Sequence, residues 1–203
     1  MKLFFSPGAC SLAPHIVLRE AGTPFTVEQV NLGKHVTAAG GDYYAVTPKG
    51  QVPLLELGDG SVLSEGPIIC QYIADQAGNT TLMPAAGSVA RYRVMEWQNY
   101  ITAELHKGFS PLFNPAFAAD AKELHTQMLR KKFEWVDSKL AGRDYLTGSD
   151  FTAADAYLFT VSGWAPMVKL DLSDLAHLQA FRARVAARPA VRQAMQAEGL
   201  IPA

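Results

Sequence analysis

Cysteine, histidine clusters, net charge and long apolar runs are all scarce in this chain of 203 residues. Two cysteines cannot build a disulfide scaffold, and Cys10 and Cys70 have unlike surroundings, so each is judged by itself. The five histidines, at 15, 35, 106, 125 and 177, are scattered, and no Cys or His pair has metal-ligand spacing. No G-x-G-x-x-G, Walker loop or H-E-x-x-H occurs, so nucleotide and zinc chemistry are both disfavoured. Lys and Arg total 18 against 19 Asp and Glu, a net charge of −1 that argues against a nucleic-acid partner. With 49% hydrophobic residues the chain is not disordered. Its longest stretch without a charged residue, 3–18, is broken by Pro7, Gly8 and Pro14, whereas a membrane span needs roughly 20 apolar residues. The opening Met1-Lys2-Leu3-Phe4-Phe5 imitates a signal peptide, but its apolar stretch is too short before Ser6-Pro7-Gly8. The expectation is a mature cytoplasmic protein with no membrane or metal partner.

What is present divides the chain in two. Residues 1–80 hold 10 of the 16 Gly and 6 of the 12 Pro, with 4 basic and 7 acidic groups. The remainder holds 14 basic and 12 acidic groups and reads as helical almost throughout. This predicts an α/β domain over 1–80, a linker over 81–86 and an all-helical domain over 87–203. In the first part, 2–6 reads as a short buried strand, 12–21 as a helix stopped by Gly22, and 25–30 as an alternating strand. Strands over 52–57 and 61–63 flank the turn signal Gly58-Asp59-Gly60. Ile68, Ile69, Tyr72 and Ile73 then recur at helical spacing. The order is β-α-β, a crossover, then β-β-α. In the second part Val94, Trp97, Ile101 and Leu105 form one apolar stripe. Further helical runs cover about 121–140, 153–168 and 175–187, punctuated by Gly142, Gly148 and Pro189.

Cys10 carries the most chemistry. It follows a strand and a Pro-Gly turn and precedes a helix, where backbone N–H groups and the helix dipole favour a thiolate. Cys70, among Ile68, Ile69 and Ile73, reads as core. A dithiol oxidoreductase needs a second thiol three residues after the first, and Ala13 stands there, so any thiol–disulfide work needs an external thiol. Gln51-Val52-Pro53-Leu54-Leu55 places proline at the first position of a strand. Ser64-Glu65-Gly66-Pro67 opens a helix whose exposed N–H groups suit an anion. Asn99 and His106, seven residues apart, share a face of a regular α-helix, with Glu104 and Lys107 beside them. Thr152 and Asp155 have capping-box spacing, a folding feature.

In order, 5–11 (Phe-Ser-Pro-Gly-Ala-Cys-Ser), 48–53 (Pro-Lys-Gly-Gln-Val-Pro), Ser64-Glu65-Gly66 and 148–156 resemble the glutathione S-transferases along nearly the whole chain. Cys10, Asn99 and His106 together resemble the bacterial beta class. The resemblance implies a thioredoxin-like N-terminal domain, a helical C-terminal domain, glutathione as co-substrate with no prosthetic group, and a homodimer active in detoxification. It implies catalytic roles for Cys10, Ser11 and His106. For glutathione it implies Gln51, Val52, cis-Pro53, Glu65, Gly66, Cys10 and His106. It also implies Asn99, Glu104 and Lys107, of which Asn99 and Glu104 reach the glutathione of a partner subunit. A basic residue after the second strand should meet the glycyl carboxylate, with Lys34 and His35 both candidates. The acceptor pocket for small apolar electrophiles would use Phe109, Phe113 and Trp164, with core packing an equal reading for Trp164. A non-catalytic carrier, or a dehalogenase or isomerase on the same scaffold, remains open.

Overall fold

Five strands form one mixed sheet in the computed structural model, which describes residues 1–202. These are β1 (Lys2–Phe5), β2 (Thr26–Asn31), β3 (Val36–Thr37), β4 (Leu54–Glu56) and β5 (Val62–Ser64), in the spatial order β3-β2-β1-β4-β5. β1 runs parallel to β2, Lys2 opposite Thr26 and Phe5 opposite Gln29. Their crossover is helix α1 (Leu12–Ala21), which stops at the left-handed Gly22. β4 runs antiparallel to β1 and to β5. The β4–β5 hairpin turns where Asp59 Oδ1 accepts the Ser61 N–H at 2.9 Å. Helix α2 (Gly66–Gln76) follows, with proline in its first turn. This is the thioredoxin-like arrangement of a mixed sheet with helices. Leu3, Ile16, Leu18, Leu55, Ile69 and Ile73 are buried in its core. Cys70 is buried there as well, and burial pushes its thiol pKa up, so it is inert packing.

The second half is helical: α3 (Val89–Tyr100), a π-helical turn (Ile101–His106), α4 (Lys107–Phe113), α5 (Ala119–Leu140), α6 (Ala153–Ser162), α7 (Ala176–Ala186) and α8 (Pro189–Ala197). The expected run over 153–168 breaks after Ser162, and Ala165–Val168 forms a separate 3₁₀ turn holding Pro166. Pro189 opens α8 from its first position, where the missing N–H has no partner to lose. Of the apolar stripe Trp97 is only partly buried, while its polar neighbour Gln98 is buried. Thr152 and Asp155 form the expected capping box.

The chain divides into two compact units, Met1–Met83 together with everything from Ala187 onward, and Pro84–Ala186. The stretch 187–202, expected in the helical domain, therefore packs with the sheet, α8 lying against α1. Among the described residues no helix is long and apolar enough to cross a membrane.

Candidate active site

In the sheet unit Cys10 closes the loop between β1 and α1, which is drawn tight by Ala9 N–H to Ser6 O at 3.0 Å. Its Sγ donates to the Val52 carbonyl at 3.2 Å. Ser11, expected among the catalytic residues, is fully buried, accepting from Ser6 N–H at 3.1 Å and donating to Ser6 O at 3.3 Å. Its hydroxyl is thus committed to fastening the loop. The Val52–Pro53 bond is cis and leads into β4. Gln51 exposes its side chain while its carbonyl accepts from Tyr43 Oη at 2.9 Å. Tyr43 is itself buried, which pushes its hydroxyl pKa up to about 12.

Glu65 stands at the N-cap position of α2 with φ 71°, a positive value that costs a non-glycine residue on the order of 1–3 kcal/mol. Such strain at a helix N-terminus points to a use for that side chain. Lys49 Nζ lies 2.9 Å from Glu65 Oε1 and 3.3 Å from Ser64 Oγ. A Cβ on Gly66 would meet Pro53 Cγ at 3.7 Å, so a serine fits there without strain. His35 also has positive φ, 52°, and its ring stacks on Tyr44 with centroids 4.4 Å apart. Gly50 lies against that stack, and a Cβ on it would meet Tyr44 Cε1 at 2.6 Å. The Nδ1 of His35 is buried without a hydrogen-bond partner, whereas Lys34 is exposed on a turn capped by Asn31 Oδ1.

Glu198, which follows α8, reaches the same loop. Its Oε2 accepts Gly8 N–H at 3.0 Å and its Oε1 lies 2.9 Å from His15 Nδ1, both side chains being fully buried. Arg19 Nε donates to His15 Nε2 at 3.1 Å, which leaves the histidine proton on Nδ1, facing the carboxylate. Burial lowers the Arg19 pKa, and the Glu198 charge opposes that shift.

In the helical unit His106 ends the π turn, with Nδ1 2.7 Å from Tyr157 Oη and its ring edge-on to Trp164 at 4.8 Å. A π turn inserts a residue into the α-helical ladder, rotating the downstream residues by about 100°. Asn99 and His106 therefore do not behave as face-mates: Asn99 is exposed and His106 is half-buried among aromatic rings. Trp164 is 8% exposed and packs edge-on against Phe109 at 5.6 Å and Phe113 at 6.1 Å. Phe109 is wholly buried and backs the cluster, and Phe113 is the member that faces solvent. Glu104 pairs with Lys132 at 2.7 Å, while Lys107 is exposed. Lys49, Tyr157 and Glu198 are absent from the set of residues the sequence singles out. Lys49 stands inside the 48–53 motif, whereas Tyr157 and Glu198 have no local signal. Among the described residues no three His, Cys, Asp or Glu side chains could hold a metal ion.

Comparison with known proteins adds to this geometry. Residues 8–76 match the model of the glutathione S-transferase N-terminal domain, and residues 100–189 match that of the C-terminal domain. The chain is similar to glutathione S-transferase GstA of Escherichia coli O157:H7, 50% identical over 200 residues, covering 98% of this chain and 100% of that one. A sphingomonad glutathione S-transferase solved in complex with glutathione is 45% identical, with a TM-score of 0.94 over 99% of this chain and 100% of that one. A bacterial beta-class enzyme from Sphingomonas chungbukensis is 42% identical, with a TM-score of 0.95 over 99% of this chain and 100% of that one.

Proposed function

The chain belongs to the glutathione S-transferase family, with bacterial beta-class neighbours, and we propose that it both conjugates glutathione to small apolar electrophiles and exchanges disulfides through Cys10. It is a glutathione S-transferase, and glutathione is its co-substrate. The observation that carries the second activity is the 3.2 Å contact between Cys10 Sγ and the Val52 carbonyl. A glutathione whose cysteinyl backbone pairs with Val52 brings its sulfur beside Cys10.

In this reading Gln51, Val52 and Pro53 form the backbone edge that receives glutathione, and Glu65 with the Gly66 N–H takes its γ-glutamyl end. Lys49 holds Glu65 in place. For the glycyl carboxylate His35 is preferred to Lys34, because its strained backbone fixes the ring on Tyr44. Ser11 positions the loop. His106, held by Tyr157, donates to the glutathione sulfur and stabilises its negative charge. Lys107 is a further glutathione-binding residue, and Asn99 and Glu104 serve a partner subunit's glutathione in a homodimer. Phe113 and Trp164, backed by Phe109, take the electrophile's apolar body. Cytoplasmic location and a detoxifying role complete the proposal.

In the exchange step the Cys10 thiolate attacks one sulfur of oxidised glutathione. A Cys10–glutathione disulfide forms, the original S–S bond breaks, and the other glutathione leaves as its thiolate. A second glutathione reverses the step and frees Cys10. Mass spectrometry after treatment with oxidised glutathione should show one glutathione adduct on the native protein and none on Cys10→Ala. Thiol-transfer activity should disappear in the same variant. Unchanged adduct and thiol-transfer activity in Cys10→Ala would overturn the assignment.

A further inference from the structure

A cavity of about 450 Å³ opens in the helical unit between the end of α6, the 3₁₀ turn, the loop 169–173 and α7. No residue placed around Cys10 or His106 lines it, although its volume falls in the usual range of small-molecule sites. Its walls are chemically divided. Ala165, Pro166, Leu170 and Leu172 are apolar, while Arg182, Lys169, Ser162 and Gln179 bring polar groups to it.

Arg182 is the informative member. Its Nη1 donates to Phe159 O at 3.1 Å and to Ser162 Oγ at 2.5 Å, and its guanidinium lies over the Phe159 ring at 5.3 Å. Neither hydrogen-bond partner is a carboxylate. Among the described residues no acidic side chain pairs with it, and withdrawal from water alone lowers its pKa. The carbonyl end of α6 offers it only the equivalent of about half a negative charge. A withdrawn charge left partly uncompensated is costly, and a fork of unused N–H donors on it matches a planar oxyanion.

Lys169 gives an independent observation. It is one of only three described non-glycine residues with positive φ, at 58°; the other two, His35 and Glu65, are assigned to glutathione. It stands at the left-handed end of the 3₁₀ turn, where glycine would be free of strain, and its exposed ammonium has no ion-pair partner among the described residues. The one carboxylate on the rim, Asp171, accepts Ser173 N–H at 2.9 Å and is held below the usual carboxylate pKa range by that contact and by Arg130. Two cations against one engaged carboxylate leave the lining net positive.

We propose that this cavity is a second ligand site that takes a small organic carboxylate, its acid group on Arg182 and Lys169 and its flat apolar body against Ala165, Pro166, Leu170 and Leu172. The site does not depend on the transferase reading, and glutathione conjugation should proceed with it empty.

The test uses the full-length protein and 2-naphthoate, with neutral 2-naphthamide as the uncharged match, by isothermal titration calorimetry. The native protein should bind naphthoate in a one-to-one ratio and at least tenfold more tightly than the amide. Arg182→Met should lose at least tenfold in affinity and Lys169→Gln severalfold, with conjugation rates retained in both. Removing a poorly compensated charge should leave the Arg182→Met melting temperature unchanged or higher, which a purely structural arginine would not allow. Equal affinity for acid and amide, or naphthoate binding unaltered in the variants, overturns the proposal. Should Arg182→Met fail to fold, the exposed Lys169→Gln decides by itself: unaltered naphthoate affinity in it overturns the site.

Discussion

At the scale of single residues, Asp155 shows how a folding feature can carry a pH dependence. Its carboxylate accepts from Leu146 N–H and Thr152 N–H at 2.8 Å each and from Thr152 Oγ1 at 2.7 Å. These bonds favour the ionised form, but complete burial outweighs them and raises the pKa from 3.8 to about 6. A carboxyl with a raised folded pKa holds its proton longer in the native state. Its contribution is therefore fully present below the unfolded value of 3.8 and is lost as pH rises through about 6. Against an Asp155→Asn reference, urea denaturation should show the native protein losing relative stability between those two values, by up to about 3 kcal/mol. A constant difference across that window would refute the assignment. Asp155→Ala, which strands two buried N–H donors, should cost about 3 kcal/mol at neutral pH. The Thr152–Asp155 pair was legible because a capping box is written in four consecutive positions. The Arg182 environment was not, because its partners at 159 and 162 lie on another helix.

At the scale of elements, the π turn decides where His106 points. Counting 3.6 residues per turn put Asn99 and His106 on one face, and a ladder insertion leaves no mark in that count. The insertion brings His106 to the Tyr157 hydroxyl on α6, so two helices jointly fix the ring. Tyr157→Phe removes that contact while keeping the aromatic packing. It should lower kcat severalfold with little change in the KM for glutathione, and lower stability by about 1 kcal/mol. His106→Ala should lower turnover further. If Tyr157→Phe turns over like the native protein at every pH, the hydroxyl has no part in orienting His106. β1, β2, β4 and β5 were readable from short apolar or alternating runs and the Gly58-Asp59-Gly60 turn, α1 from its stop at Gly22 and α2 from the helical spacing of its isoleucines, whereas the two-residue β3 is too short to leave a pattern. α8 was not, because Pro189 as a stop and Pro189 as a first helical residue look alike in sequence.

At the scale of the whole molecule, the chain leaves the sheet unit at Met83, builds the helical unit, and returns to the sheet unit from Ala187. Composition carries no sign of this return, because it depends on pairings 168 and 183 residues apart in sequence. One of them is His15 with Glu198, and the bidentate Arg188–Glu20 pair, at 2.6 and 2.9 Å, is another. The sheet unit therefore depends on the segment 187–202 both for the covering of α1 and for the carboxylate that holds Gly8 two residues before Cys10. A protein ending at Ala186 should keep most helical signal from its 84–186 unit while the sheet unit loosens. Thiol reactivity separates the two units, because each free cysteine belongs to the sheet unit and they differ in burial. In the intact protein under native conditions Cys10 should react with a thiol reagent and Cys70, 1% exposed, should not. In the shortened protein both should react, and glutathione binding should fall with them. Glu198→Ala, keeping α8, should cost about 3 kcal/mol and leave Cys70 protected. If the shortened protein still shields Cys70 and binds glutathione normally, the returning segment is an ornament of the sheet unit and Gly8 is held by its own loop.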